Sequence, residues 1–129
     1  MPRKAKILFI DDDAGYLPKI TDSVKLIGCD LSYYTDSQKA IERFKQEKFD
    51  VVVTDIFMPG KDGFDIIKEV RACNKATFVI ALTGNSDKEV ERRAIGNGAD
   101  AFFLKPLNLE AFINTISCLQ SGKENHNEE

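Results

Sequence analysis

Five short apolar runs, each closed by polar residues, alternate along this chain with stretches whose apolar residues recur every three or four positions. That alternation leaves few folds to choose from. The runs are Lys6–Ile10, Asp30–Tyr34, Asp50–Thr54, Thr77–Leu82 and Ala101–Leu104. The first, third and fourth are nearly continuous in apolar residues, as expected of strands buried on both faces. The second alternates, with Leu31 and Tyr33 on one side, and reads as an edge strand. Between the runs, Leu17, Ile20, Val24 and Ile27 form a helical stripe. Pro18 requires that helix to start close before it. Ile41 and Phe44 make a shorter stripe capped by Asp36 or Ser37. Phe64, Ile67 and Val70 follow Gly63, and Phe112, Ile113, Ile116 and Leu119 mark a last helix over Leu109–Gln120. The fourth helix, Ser86 to about Asn97, is the weakest, with little beyond Val90 and Ala94 to bury.

This βαβαβαβαβα order predicts an α/β fold: a doubly wound five-stranded parallel sheet with right-handed crossovers and helices on both faces. A chain of 129 residues suffices for one domain. We assign it to residues 1–121, followed by a polar, disordered tail at 122–129 that contains His126, the only histidine.

In such a sheet the carboxyl ends of the strands share one edge, where ligands bind. Asp11-Asp12-Asp13 ends the first run there. Asp55 ends the third and enters the turn Ile56-Phe57-Met58-Pro59-Gly60-Lys61-Asp62-Gly63. Thr83 follows the fourth, and Lys105-Pro106 the fifth. Converging carboxylates repel one another and call for a cation. With Asp11, Asp12 and Asp55 set against Lys105, one Mg²⁺ balances the charge. Oxygen ligands without cysteine or histidine suit that ion. A carboxylate beside it can attack a phosphoryl group, and a lysine can steady the charge that spreads over the transferred oxygens. Thr83 can donate a hydrogen bond to one of them.

The neighbouring residues have plainer roles. Asp13 reads as a helix cap, Asp62 as a partner within its own turn, Gly63 as a permissive backbone, and Met58 and Pro59 as loop shapers. Gly84 should loosen the loop after Thr83.

Other classes are disfavoured. The net charge of −3 provides no basic field for nucleic acid. The three cysteines, Cys29, Cys73 and Cys118, are widely spaced and form no Cys-x-x-Cys, which suits a reducing, cytoplasmic setting. No apolar run approaches the roughly 20 residues that span a bilayer. Met1–Ala5 leads into a strand without space for a signal peptide.

In this order, Ile-Asp11-Asp12-Asp13, Thr-Asp55-Ile-Phe-Met58-Pro59-Gly-Lys-Asp62-Gly63, Ala-Leu-Thr83-Gly84 and Phe102-Phe-Leu-Lys105-Pro106 closely resemble the receiver domain of two-component response regulators. The resemblance covers the chain to about Gln120. It implies a flavodoxin-like (βα)5 fold and a signalling domain that catalyses only its own phosphorylation and dephosphorylation. It implies that Asp55 is the phosphoacceptor, supplied by a histidine kinase or histidine phosphotransfer protein. Asp12 and Asp55 would bind Mg²⁺ directly with the Phe57 backbone carbonyl, and Asp11 mainly through a water. Lys105 would pair with Asp55, and the Lys105–Pro106 bond would be cis. Thr83 and Phe102 would form the switch that alters the face made by the fourth helix, fifth strand and fifth helix. Phe57 and Asn85 match positions that bear on phosphoryl lifetime. The resemblance leaves the downstream effector unnamed. It fits a stand-alone receiver or part of a longer regulator, and a monomer or a phosphorylation-dependent dimer. The rival is a haloacid-dehalogenase-type phosphatase using Asp11 and Asp13. It lacks a later acidic pair and leaves the Asp55 loop unexplained.

Overall fold

The computed structural model describes residues 4–125. Its strands are β1 (Lys6–Ile10), β2 (Asp30–Tyr34), β3 (Val51–Asp55), β4 (Phe78–Thr83) and β5 (Ala101–Leu104). The helices are α1 (Leu17–Leu26), α2 (Ser37–Gln46), α3 (Gly63–Cys73), α4 (Lys88–Gly96) and α5 (Leu109–Asn125), with a short 3-10 turn, Ala14–Tyr16, leading into α1. The strands form one parallel sheet in the order β2-β1-β3-β4-β5. The alternating strand β2 is an edge, as its pattern predicts.

Successive strand residues point to opposite faces, and the sequence fills both. On one face Leu8, Ile10, Val52, Val79 and Ala81 pack against Ala40, Ile41 and Phe44 of α2, Phe64, Ile67 and Val70 of α3, and Ala94 of α4. On the other, Ile7, Phe9, Val51, Val53, Ile80 and Leu82 pack against Ile20 and Val24 of α1 and Phe112 and Ile116 of α5. The chain winds one way from β1 to β2 and the other from β1 to β3. Strand order therefore reverses beside β1, which opens a crevice at the carboxyl ends of β1 and β3.

Several boundaries differ from the sequence reading. β3 and β4 each start and end one residue later, so Asp55 and Thr83 are the last residues of their strands. Asp55 pairs with Leu82, and Thr83 with Leu104. The fourth helix is shorter than Ser86–Asn97 because Asp87 caps it, accepting from the Glu89 N–H at 2.9 Å. Asp36, not Ser37, caps α2. The fifth helix continues to Asn125, so the boundary drawn at 121 does not end it. Ser121–Asn125 contains no proline to stop a helix. The rest of the expected tail, including His126, lies outside the described residues.

The amino edge of the sheet is tied by Arg71, which the sequence reading passed over. Its guanidinium donates to the carbonyls of Gly98, Lys75 and Thr77 and to the Asp100 carboxylate. One planar group with five N–H donors thus joins the loops that lead into β4 and β5 to α3. No helix among the described residues is long and apolar enough to cross a membrane.

Candidate functional site

Asp11 follows β1 without a break, because its N–H continues the ladder to the Tyr34 carbonyl at 3.1 Å. Its side chain is fully buried. Asp11 Oδ1 accepts the Asp13 N–H at 2.9 Å. The Asp13 carboxylate turns the other way and caps the 3-10 turn, accepting from the Gly15 N–H at 2.8 Å. Asp13 is therefore the cap its sequence context suggests. Asp12, between them, is exposed.

Asp55 is only 5% exposed. Pairing with Leu82 of β4 fixes its position at the end of β3. The Thr54 hydroxyl also donates to its carbonyl at 2.9 Å. Lys105 arrives from the end of β5, where its N–H donates to the Thr83 carbonyl at 2.8 Å. The Lys105–Pro106 peptide is cis. The Lys105 ammonium lies 3.1 Å from Asp55 Oδ2 and 3.0 Å from Asp11 Oδ2. The contact to Asp55 is a hydrogen bond. At Asp11 Oδ2 the ammonium is near enough for an ion pair, yet that buried oxygen has no aligned donor. A buried acceptor left so poorly satisfied is a feature to be explained.

Oxygen atoms of Asp11, Asp12 and Asp55 all lie within 4.8 Å of one another. Burial, and then the charge on Asp11, push the Asp55 carboxyl up from 3.8 to about 6, against the opposing pull of Lys105. Burial disfavours the charged form of Lys105, but its attraction to Asp11 and Asp55 outweighs that and raises its pKa. Three carboxylates facing one ammonium leave two negative charges uncompensated. The donors are all carboxylate oxygens, one of them buried and unsatisfied. That set fits a hard divalent cation and gives a soft one no sulfur or imidazole.

The loop from Asp55 to α3 is anchored at both ends. The Gly63 N–H donates to the Ile56 carbonyl at 2.7 Å. Lys61 forms an ion pair with Glu69 on α3. Asp62 caps α3 by accepting from the Asp65 N–H at 3.0 Å. Gly63 needs correction. Its backbone is not left-handed; Gly60, at φ 76°, takes that role in the loop. What Gly63 provides is room, because a Cβ there would sit 2.3 Å from the Asp55 carbonyl oxygen.

Thr83 is buried at the end of β4, and its hydroxyl oxygen accepts the Asn85 N–H at 3.2 Å. Phe102 is half-buried and packs toward the α2–α4 face of the core. Phe57 is 52% exposed and meets the Phe64 ring edge-on. Gly84 is exposed, has an ordinary φ, and would offer an alanine Cβ open space. Gly84→Ala should therefore stabilise the domain by about 0.4–1 kcal/mol through the unfolded chain. Urea titration would show it as a higher midpoint with an unchanged slope. A lower midpoint would mean the loop needs glycine for a reason other than freedom.

An open parallel sheet whose carboxyl edge carries a partly buried acid cluster and one lysine defines a class of α/β domains that bind ligands at that edge. The response regulator receiver domain model matches residues 7–117, and the chain belongs to that family. It is 31% identical over 97% of its length to the transcriptional regulatory protein RprY of Bacteroides fragilis, covering 54% of that protein. It is 27% identical over 92% of its length to the sensor protein EvgS of Escherichia coli, covering 10% of that protein. Among solved structures, a response regulator receiver domain protein from Clostridium thermocellum superimposes with a TM-score of 0.83. The two are 30% identical over 93% of this chain and 97% of the other. The chain spans about half of one curated relative and a tenth of the other. The dehalogenase-type alternative finds no support, because the Asp13 it requires faces the Gly15 N–H and stands outside the acid cluster.

Proposed function

We propose that residues 1–121 form a phosphoacceptor unit in which Asp55 takes a phosphoryl group from the phosphohistidine of a histidine kinase or histidine phosphotransfer protein. The observation that carries this reading is the Lys105 ammonium held between Asp11 and Asp55 beside a third acid, Asp12. An Asp55 carboxylate oxygen forms the new bond to phosphorus. The phosphorus–nitrogen bond breaks, and the imidazole nitrogen keeps its electron pair. With a pKa of about 6, Asp55 is ionised at neutral pH and able to attack.

Asp11, Asp12 and Asp55, with the Phe57 backbone carbonyl, would hold Mg²⁺. When bound, the ion draws negative charge off the transferred oxygens. Lys105 loses an Asp55 oxygen to the new bond and turns its ammonium to the phosphoryl group. Thr83 accepts from Asn85, which leaves its own O–H to donate to a phosphoryl oxygen.

Drawing Thr83 inward would open space for the Phe102 ring and change the face made by α4, β5 and α5. That face suits a switch. Ala94 is the only fully buried residue of α4, while Ile95 and Leu104 are 45% and 46% exposed. Elements with few buried contacts open most readily. A cytoplasmic setting, an output partner or further domain, and a monomer or phosphorylation-dependent dimer belong to the same proposal.

Incubation with acetyl phosphate and Mg²⁺ should add one phosphoryl group to the wild type and none to Asp55→Asn, read by intact mass. Equal labelling of the two would reject the assignment. With beryllofluoride, amide exchange should change most between Thr83 and Lys105. A change confined to α1 and α2 would reject the proposed face.

A further inference from the structure

The acidic loop has a support on the neighbouring strand. Tyr33, on β2, stands beside Phe9 on β1 in the sheet register. Their rings stack, with centroids 5.1 Å apart and planes 7° from parallel. Phe9 is fully buried and meets Phe112 of α5 edge-on at 6.2 Å, so the stack has a rigid base. The Tyr33 hydroxyl reaches past the end of β1 and donates to the Asp13 carbonyl at 2.7 Å. Asp13 is thereby held on both sides. Its carbonyl is fixed by Tyr33, and its N–H is fixed on Asp11 Oδ1. Asp12 lies between these anchors, so its direction follows from a segment with little freedom to turn.

Holding acids together in this way works against their mutual repulsion. That repulsion offsets the gain from the hydrogen bond in the domain alone, and the arrangement favours a state in which a cation lies among the acids. We propose that Tyr33 is a positioning residue for cation binding. Its hydroxyl holds the Asp13 carbonyl and so presets Asp11 and Asp12. This rests on the reading of the acid cluster as a divalent-cation site and adds the device that tunes its affinity.

The test is calorimetric titration of the full chain with Mg²⁺ at neutral pH, using wild type, Tyr33→Phe and Tyr34→Phe. Tyr33→Phe keeps the stacked ring and removes only the hydroxyl. It should weaken Mg²⁺ binding about three- to tenfold, the range expected of one net hydrogen bond. The melting temperature in EDTA should stay within about 2 °C of wild type, a shift well below that of a typical destabilising substitution. A purely structural hydroxyl would do the reverse, lowering the melting temperature and leaving the affinity unchanged. Tyr34 serves as the control, because its hydroxyl accepts from Arg43 at 3.0 Å, away from the acidic loop. Tyr34→Phe should keep wild-type affinity. An unchanged affinity in Tyr33→Phe overturns the proposal, as does an equal loss in Tyr34→Phe or an affinity that falls only in step with stability in EDTA. If wild type itself takes up no Mg²⁺, the cation-site reading fails as well, and the wild-type titration separates the two failures.

Discussion

Gly63→Ala is expected to destabilise the domain by about 3 kcal/mol, the upper part of the range for forcing atoms into a packed site. The added Cβ would lie 2.3 Å from the Asp55 carbonyl oxygen and 2.6 Å from the Ile56 Cα. Both are backbone atoms, so no flexible side chain can swing aside. The start of α3 is drawn this close by the Gly63 N–H, which donates to the Ile56 carbonyl at 2.7 Å. Relief requires breaking that bond or moving the strand end that carries Asp55. The variant should therefore lose phosphorylation rate as well as stability. Gly60→Ala makes the contrast. Its φ of 76° is strained for alanine, but the Cβ would meet nothing within 4 Å. It should lose only about 1–2 kcal/mol, the cost of a left-handed residue with a side chain. Urea unfolding of the two variants checks the order. A Gly63→Ala protein within about 0.5 kcal/mol of wild type would mean the close approach relaxes freely.

That contrast also marks how far the sequence can be read. The parallel sheet was legible because Ile7-Leu8-Phe9-Ile10 and Val51-Val52-Val53 are apolar at every position, a pattern only doubly covered strands need. The site residues followed from the sheet, since a polar residue ending such a strand has one edge to occupy. The pair of Lys105 with Asp55 was implied by the family resemblance, and its second pair, with Asp11, was foreshadowed only by the charge balance. Glycine was read less well. Sequence marks that a residue lacks a side chain without saying whether φ or proximity requires it, and only the packing of α3 on Ile56 separates Gly63 from Gly60. Arg71 and Tyr33 were missed for a related reason. Arg71 bonds mostly to backbone carbonyls, and Tyr33 bonds to one, and carbonyls carry no residue identity that a sequence pattern could flag. The helix beyond Gln120 was missed because backbone bonds can extend a helix after its apolar stripe has ended.

The second large effect is the response of stability to pH without a divalent cation. Asp55 titrates at about 6 in the folded domain, above its ordinary value of 3.8. Between these values the folded protein holds the proton and the unfolded chain has released it. Unfolding there releases a proton, so stability falls as pH rises through this window. The full loss above pH 6 is on the order of 3 kcal/mol at 1.36 kcal/mol per unit. Lys105 does not reverse the sign. Its pKa is raised, so its contribution is intact below its ordinary 10.5 and is lost only at more alkaline pH. Glu47 and Glu69 are lowered by their lysine and arginine partners, so their contributions are present above their ordinary 4.5 and are lost on acidification. Comparison with Asp55→Asn removes such common terms. In EDTA, the stability of wild type minus that of Asp55→Asn should fall by up to about 3 kcal/mol between pH 4 and pH 7. Millimolar Mg²⁺ should recover much of that loss at pH 7, by binding the folded state, and little at pH 4, where Asp55 is protonated. Urea unfolding at the two pH values, with EDTA and with Mg²⁺, measures all four corners. A difference that rises with pH in EDTA would mean Lys105 outweighs burial and Asp11 at Asp55. Equal effects of Mg²⁺ at pH 4 and pH 7 would mean the ion binds away from Asp55.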